Sequence, residues 1–220
     1  MYAFGVDIGG TGVKAGIVDE KGNIVVKSSI ATDRSLDYRI IVKQIAQQLK
    51  DLAEKGGVDF RDIAGIGIGC PGAVNGKKGT VDYSNNLCWS DVPLLDELKK
   101  YIDLPSKVSN DANVAALGET VFGAGKKYSD TVFITLGTGV GGGVVLGGKL
   151  LTGYTGAASE LGHMVIAENG EECTCGSRGC FEAYSSATAL IRDTKRTMAA
   201  HPESLLHAIA AEQGGVDGRT

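Results

Sequence analysis

Three cysteines stand within one short stretch, Cys173-Thr174-Cys175-Gly176-Ser177-Arg178-Gly179-Cys180. Thiolates at this spacing, on a loop that its glycines let fold back, suit one tetrahedral metal ion, and zinc is the ion such a donor set favours. The site needs a fourth ligand. His163 is the only histidine upstream, since His201 and His207 lie in the later helical stretch. The alternative, three buried thiols in a reducing compartment, fits the tight spacing less well. A disulfide framework fits worse still, because secreted disulfide domains are shorter and lack a Gly-rich α/β pattern.

Two glycine turns could hold phosphate. Asp7-Ile8-Gly9-Gly10-Thr11-Gly12-Val13-Lys14 sets amides and a hydroxyl at the end of a strand, where they can meet phosphate oxygens, and Asp7 could hold Mg²⁺ through water. An ordinary hairpin turn explains the same residues equally well. A dinucleotide fingerprint is excluded because Val13 to Val18 alternates like a strand where a helix is required, and no Walker loop is present. The second turn, Gly137-Thr138-Gly139 followed by Val140 and Gly141-Gly142-Gly143, carries five glycines in seven residues. That excess costs backbone entropy without an evident packing gain, which favours a phosphate site over a plain hairpin.

Asn110-Asp111-Ala112-Asn113 lies where a strand hands over to a helix, and Asp111 is a candidate general base for phosphoryl transfer to a hydroxyl. Taken alone, Asp111 or Asn110 reads better as a helix cap. Glu119 on the same helix reads as a solvated or bridging charge.

The elements that must position these residues follow from composition and periodicity. A chain of 220 residues, 43% hydrophobic and 22% charged, can bury one large core or two modest ones. Glycine makes up 33 of the 220 residues, about twice the usual ~7%. The net charge of -4 and the lack of a dense Lys/Arg cluster exclude nucleic acid as a partner. No apolar run reaches the roughly 20 residues that span a bilayer, and Met1 leads directly into a strand-like segment, so no membrane and a cytoplasmic location are expected.

An antiparallel meander is predicted over Ala3 to Ile8, Val13 to Val18 and Ile24 to Ser29, then a helix over Leu36 to Leu52 with Lys43, Gln47, Gln48 and Lys50 on its polar face. A buried strand over Ile63 to Gly69, a helix over Leu94 to Tyr101, a strand over Lys107 to Ser109 and a helix from about Ala112 to Phe122 follow. Thr131 to Leu136 and Gly143 to Leu146 read as strands, and Ala187 to Ala200 as a helix before a frayed end from Gln213. The strand, Gly-Thr-Gly turn and strand occur twice, which suggests a duplication with a boundary near Ser109-Asn110.

Taken together, these motifs resemble the ROK family of sugar kinases and sugar-responsive repressors. The likeness runs from Phe4 to Glu182 and rests on Asp7 to Lys14, Cys70-Pro71-Gly72, Asn110 to Glu119, Leu136 to Gly143, Glu160 to His163 and, most specifically, Cys173 to Glu182. It implies an α/β fold, a two-domain actin-like (ribonuclease-H-like) ATPase with a small domain over 1–109 and a larger, incomplete domain over 110–220. Sugar and ATP would meet in the cleft. The resemblance further implies Asp111 as base, Asn86, Asn110, Asp111, Glu160, His163 and Glu182 as sugar contacts, and His163 with Cys173, Cys175 and Cys180 as ligands of a structural Zn²⁺. Asp7, Gly9, Gly10, Thr11, Lys14, Gly137, Thr138 and Gly139 would hold ATP and Mg²⁺, and the full-length form would be a homo-oligomer, dimer or tetramer. Asn85 to Trp89 and Gly153 to His163 look most like bacterial glucokinases, while kinases of fructose, N-acetylmannosamine and allose share most contacts. Family repressors carry a DNA-binding segment ahead of the Asp-x-Gly-Gly-Thr motif, and family kinases continue about a hundred residues past the cysteines. A kinase apparatus with its C-terminal part missing is the expectation, and a non-catalytic sugar sensor is the rival.

Overall fold

The computed structural model describes residues 1–154 and 156–218. In chain order the elements are β1 (Tyr2–Ile8), β2 (Gly12–Asp19), β3 (Ile24–Ala31), α1 (Tyr38–Gly56), β4 (Ile63–Cys70), β5 (Ala73–Asn75), β6 (Thr80–Ser84), β7 (Trp89–Val92) and α2 (Leu94–Lys99). They continue as β8 (Ser106–Asn110), α3 (Asp111–Val121), β9 (Thr131–Leu136), β10 (Val140–Leu146), β11 (Lys149–Leu150), α4 (Glu182–Ser185), α5 (Ala187–Ala200) and α6 (Leu206–Gln213).

A five-stranded sheet in the order β3-β2-β1-β4-β8 carries the first half of the chain. The β1–β2 and β2–β3 pairs are antiparallel, as the meander requires, and β4 and β8 join in parallel through crossovers. Alternation along β1 turns Phe4, Val6 and Ile8 into the core and leaves Gly5 and Asp7 on the opposite face. The same parity in β2 and β4 buries Val13, Ala15, Ile17, Ile66 and Ile68. Helix α1 covers this face with Ile41, Val42, Ile45, Leu49 and Leu52, all 2% exposed or less. Each such side chain contributes about 1.5–3 kcal/mol on burial. The Asp37 carboxylate caps α1 by accepting from Arg39 N–H, and Gly57 ends it with a left-handed φ of 62°.

Helix α1 begins two residues later and runs four residues further than its apolar spacing predicts. Gln48 corrects the expected polar face, because it is only 4% exposed. Its Nε2 donates to Ser28 Oγ at 2.9 Å, a cross-element bond that no periodicity announces.

Opposite α1, register sets Gly16, Gly5 and Gly67 side by side across β2, β1 and β4. An open groove of about 1010 Å³ lies on this side, lined among others by Asp7, Lys14, Gly69, Val114 and Leu117. A small sheet in the order β5-β6-β7 follows β4, with strands of three to five residues that the sequence pattern does not disclose.

The chain divides into two compact units, one of residues 1–132 with 143–159 and the other of 133–142 with 160–220. The division passes through β9 and β10, which form a three-stranded sheet in the order β11-β10-β9. Ser109 and Asn110 both fall inside the first unit. Among the described residues no helix is long and apolar enough to cross a membrane.

Candidate functional site

In the first unit, the turn between β1 and β2 is closed by Gly9 N–H donating to Gly12 O at 2.9 Å. The Thr32 hydroxyl donates to Gly9 O at 2.9 Å, which ties the end of β3 to the turn. Any side chain at Gly10 would sit 2.8 Å from the carbonyl oxygen of Asn86, so glycine is what lets the 85–88 loop approach. That loop closes the β6–β7 hairpin across the Ser84–Trp89 pair, and Cys88 within it holds a left-handed φ of 56°. Asn86 is exposed there. Thr11 is exposed as well, and Asp7 and Lys14 face each other across the strands at 3.8 Å, an exposed pair of small energetic weight.

Asn110, not Asp111, takes the main capping role on α3. Its Oδ1 accepts from Ala112 N–H at 2.9 Å and Asn113 N–H at 3.3 Å, while its Nδ2 donates to Gly72 O at 3.2 Å. Asp111 accepts from Ala112 N–H at 2.9 Å. Burial raises its pKa above the ordinary 3.8, and the negative charge of Asp7 adds to the rise. The same surroundings act on Cys70, whose burial, with Asp111 and Asp7 charges nearby, pushes its thiol up to about 12. Glu119 does bridge, accepting from Ala124 N–H at 3.0 Å through Oε2.

In the second unit, Gly137 N–H donates to Gly139 O at 2.9 Å to form the second glycine turn. The three glycines that follow it correct the sequence reading. β10 already begins at Val140, so Gly141, Gly142 and Gly143 are strand residues. Packing explains two of them: a Cβ at Gly142 would meet Leu161 at 2.7 Å, and one at Gly143 would collide with Ala116. Only Gly137 and Gly139 serve the turn, and a Cβ at Gly139 would collide with the Glu182 carboxylate.

Glu160 is exposed and opens the short 3₁₀ turn Leu161–His163. The donor atoms of His163, Cys173, Cys175 and Cys180 all lie within 4.8 Å of one another. Cys175 and Cys180 sulfurs are 3.7 Å apart, and Cys173 Sγ is 3.6 Å from His163 Nδ1. Bond lengths of about 2.3 Å to sulfur and 2.0–2.1 Å to nitrogen put tetrahedral edges at about 3.8 Å for S···S and about 3.6 Å for S···N, so the cluster fits zinc. The loop is shaped by Cys173 N–H donating to Ser177 O at 2.9 Å and by positive φ at Gly176 and Gly179. The Ser177 backbone N–H lowers the exposed Cys175 thiol to about 7, whereas burial raises Cys180 to about 12.

Glu182 stands beside the cluster, its Oε1 accepting from Thr174 Oγ1 at 3.0 Å and its Oε2 from Val140 N–H at 2.9 Å. Sequence reasoning missed Thr188, whose hydroxyl donates to Thr138 O at 2.7 Å; a threonine in the first turn of a helix carries no signal of its own.

The sheet order, the two glycine turns and the His–Cys₃ cluster define an α/β protein of the actin-like class. The model of the ROK family matches residues 3–215, and the chain belongs to that family. It is 42% identical over 214 residues to a glucokinase of Streptomyces coelicolor, a match covering 97% of this chain and 65% of the relative. The chain thus spans just under two thirds of that relative's length. A ROK family glucokinase from Streptomyces griseus, solved in complex with glucose and AMPPNP, superposes with a TM-score of 0.81 at 40% identity, over 100% of this chain and 69% of that one. The xylose repressor of Bacillus subtilis is 30% identical over 194 residues, 87% of this chain and 49% of the repressor.

Proposed function

We propose that the chain carries the sugar-phosphorylating apparatus of an ATP-dependent glucokinase, which transfers the γ-phosphoryl group to the 6-hydroxyl of glucose or a related hexose. The observation that carries this reading is the state of Asp111. A neighbouring residue does most of the helix capping, and burial holds the Asp111 carboxyl above its usual pKa, as suits a proton acceptor. Asp111 would take the hydroxyl proton as the new O–P bond forms and the bond from phosphorus to the ADP oxygen breaks.

Asn86, Asn110, Glu160, His163 and Glu182 would hold sugar hydroxyls. Asp7, Gly9, Gly10, Thr11 and Lys14 would face the nucleotide phosphates together with Gly137, Thr138 and Gly139, and Mg²⁺ near Asp7 would offset their charge. Zinc on His163, Cys173, Cys175 and Cys180 would be structural. With Nδ1 turned to the cluster, the Nε2 of His163 is the nitrogen left for a sugar hydroxyl. A small domain over 1–109 with a larger one from 110, a cytoplasmic location and a homo-oligomeric full-length enzyme complete the reading.

Asp111→Asn is expected to lower turnover by about 10²–10⁴-fold while sugar binding persists. A coupled assay for ADP with glucose, beside a glucose titration, checks both. Turnover near wild type would remove Asp111 from the role, and a panel of hexoses and N-acetylhexosamines in the same assay assigns the sugar. The second reading, a sugar-sensing module, draws on the likeness to a xylose repressor. A sensor binds sugar without making ADP.

A further inference from the structure

Among the described residues, three hydrogen bonds tie the second glycine turn to the segment that follows the cysteines. Val140 N–H donates to Glu182 Oε2 at 2.9 Å, Ala187 N–H donates to Gly137 O at 2.8 Å, and the Thr188 hydroxyl donates to Thr138 O at 2.7 Å. Each of these groups is anchored to the metal loop. The second oxygen of Glu182 accepts from Thr174 and lies 3.8 Å from Cys173 Sγ. Glu182 follows Cys180 by two residues, and Ala183 N–H donates to Cys180 O at 2.9 Å. Helix α5, which presents Ala187 and Thr188, is pinned further along to the near side of the loop, with Arg196 at 2.6 Å and Arg192 at 3.7 Å from the Glu171 carboxylate.

A turn built on two glycines has a soft backbone, and its amides can bind only when something outside fixes them. Here two of its carbonyls are fixed by α5 and the amide after it by Glu182. We propose that the His163–Cys180 metal cluster sets the geometry of the Gly137–Gly139 turn, with Glu182 and Thr188 as the positioning residues that carry its influence. The inference rests on the reading that the cluster takes zinc and the turn takes nucleotide phosphate. It adds that the two are energetically linked: occupancy of either site tightens the other by the same factor.

Zinc affinity, measured by competition with a chromophoric chelator in the presence and absence of Mg²⁺ and a non-hydrolysable ATP analogue, tests this without turnover. The analogue is expected to tighten zinc binding about tenfold, within the usual range of coupling between sites. Thr188→Val should keep one zinc per chain but cut that factor below about threefold, and Thr188→Ser should restore it. Thr188 is exposed, so the variant keeps the fold; amide exchange at Val140, faster after chelation in the wild-type chain, gives an independent readout. A wild-type factor of one, or full coupling in Thr188→Val, overturns the inference. A chain that binds the analogue with no zinc, or zinc with no analogue, overturns the underlying assignment of the cluster or the turn instead.

Discussion

The two units of this chain hold their candidate residues by different means. In the first, Asp7, Asn110 and Asp111 project from a sheet and helix packed on one continuous apolar cluster that runs from Phe4 to Val108. In the second, the buried apolar residues among those described are few, Val140, Cys180, Ala183, Ala189, Met198 and Ala210, and the candidate residues gather instead around four clustered donor atoms, backbone bonds and the Glu171–Arg192–Arg196 ion pairs. A site resting on a core inherits the cooperativity of that core, whereas a site gathered on four donor atoms would, on the proposed reading, depend on the ion they hold.

The largest expected effect tests that contrast directly. Apparent zinc binding in small structural sites is worth about 10–16 kcal/mol, so chelation should disorder the 160–182 segment and leave the first sheet protected. Amide exchange mapped by region checks this, together with alkylation. The loaded chain should react at exposed Cys88 alone, and the chelated chain at Cys173, Cys175 and Cys180 as well, with Cys70 inert in both. Equal loss of protection in the two units would erase the comparison. Next in size is Leu49→Ala, which empties a fully buried position on α1 and should cost about 2–5 kcal/mol in denaturant unfolding with zinc content unchanged.

A smaller effect, about 1 kcal/mol, is expected for Asn110→Ala, which removes the oxygen that caps α3. Chemical denaturation resolves it, and a neutral result would shift the capping to Asp111. The smallest is electrostatic. Because burial is the main cause of the raised Asp111 pKa and Asp7 a lesser one, Asp7→Asn should lower that pKa only part of the way to 3.8. Carboxyl NMR across the acid range measures it. The sign is fixed: a carboxyl whose folded pKa is raised favours the protonated fold, so its contribution to stability declines as pH climbs from below 3.8 through the raised value. An unchanged pKa in the variant would mean that Asp7 is not felt at Asp111.

Legibility in the sequence follows the same divide. The meander, α1 and the buried strand β4 were readable because period-2 and period-3.6 patterns report burial against a large core. The cysteine cluster was readable because ligand spacing is itself chemical. What escaped needed contacts distant in sequence. Gln48 looks solvated until Ser28 is placed beside it, and Gly142 looks like loop until Leu161 arrives over it. β5 to β7 escaped because strands of three to five residues broken by Gly76-Lys77-Lys78-Gly79 are too short to show a period.

The parity of β1 has a consequence for how such chains can change over generations. Phe4, Val6 and Ile8 enter the core and Asp7 does not, only because the count from the core to the carboxylate is odd. Inserting one residue between Val6 and Asp7 would turn the carboxylate among apolar side chains and carry Ile8 to the open face. Length can therefore drift at the exposed Asp19–Asn23 and Lys77–Lys78 bends, while within β1 insertions and deletions are admissible only two residues at a time.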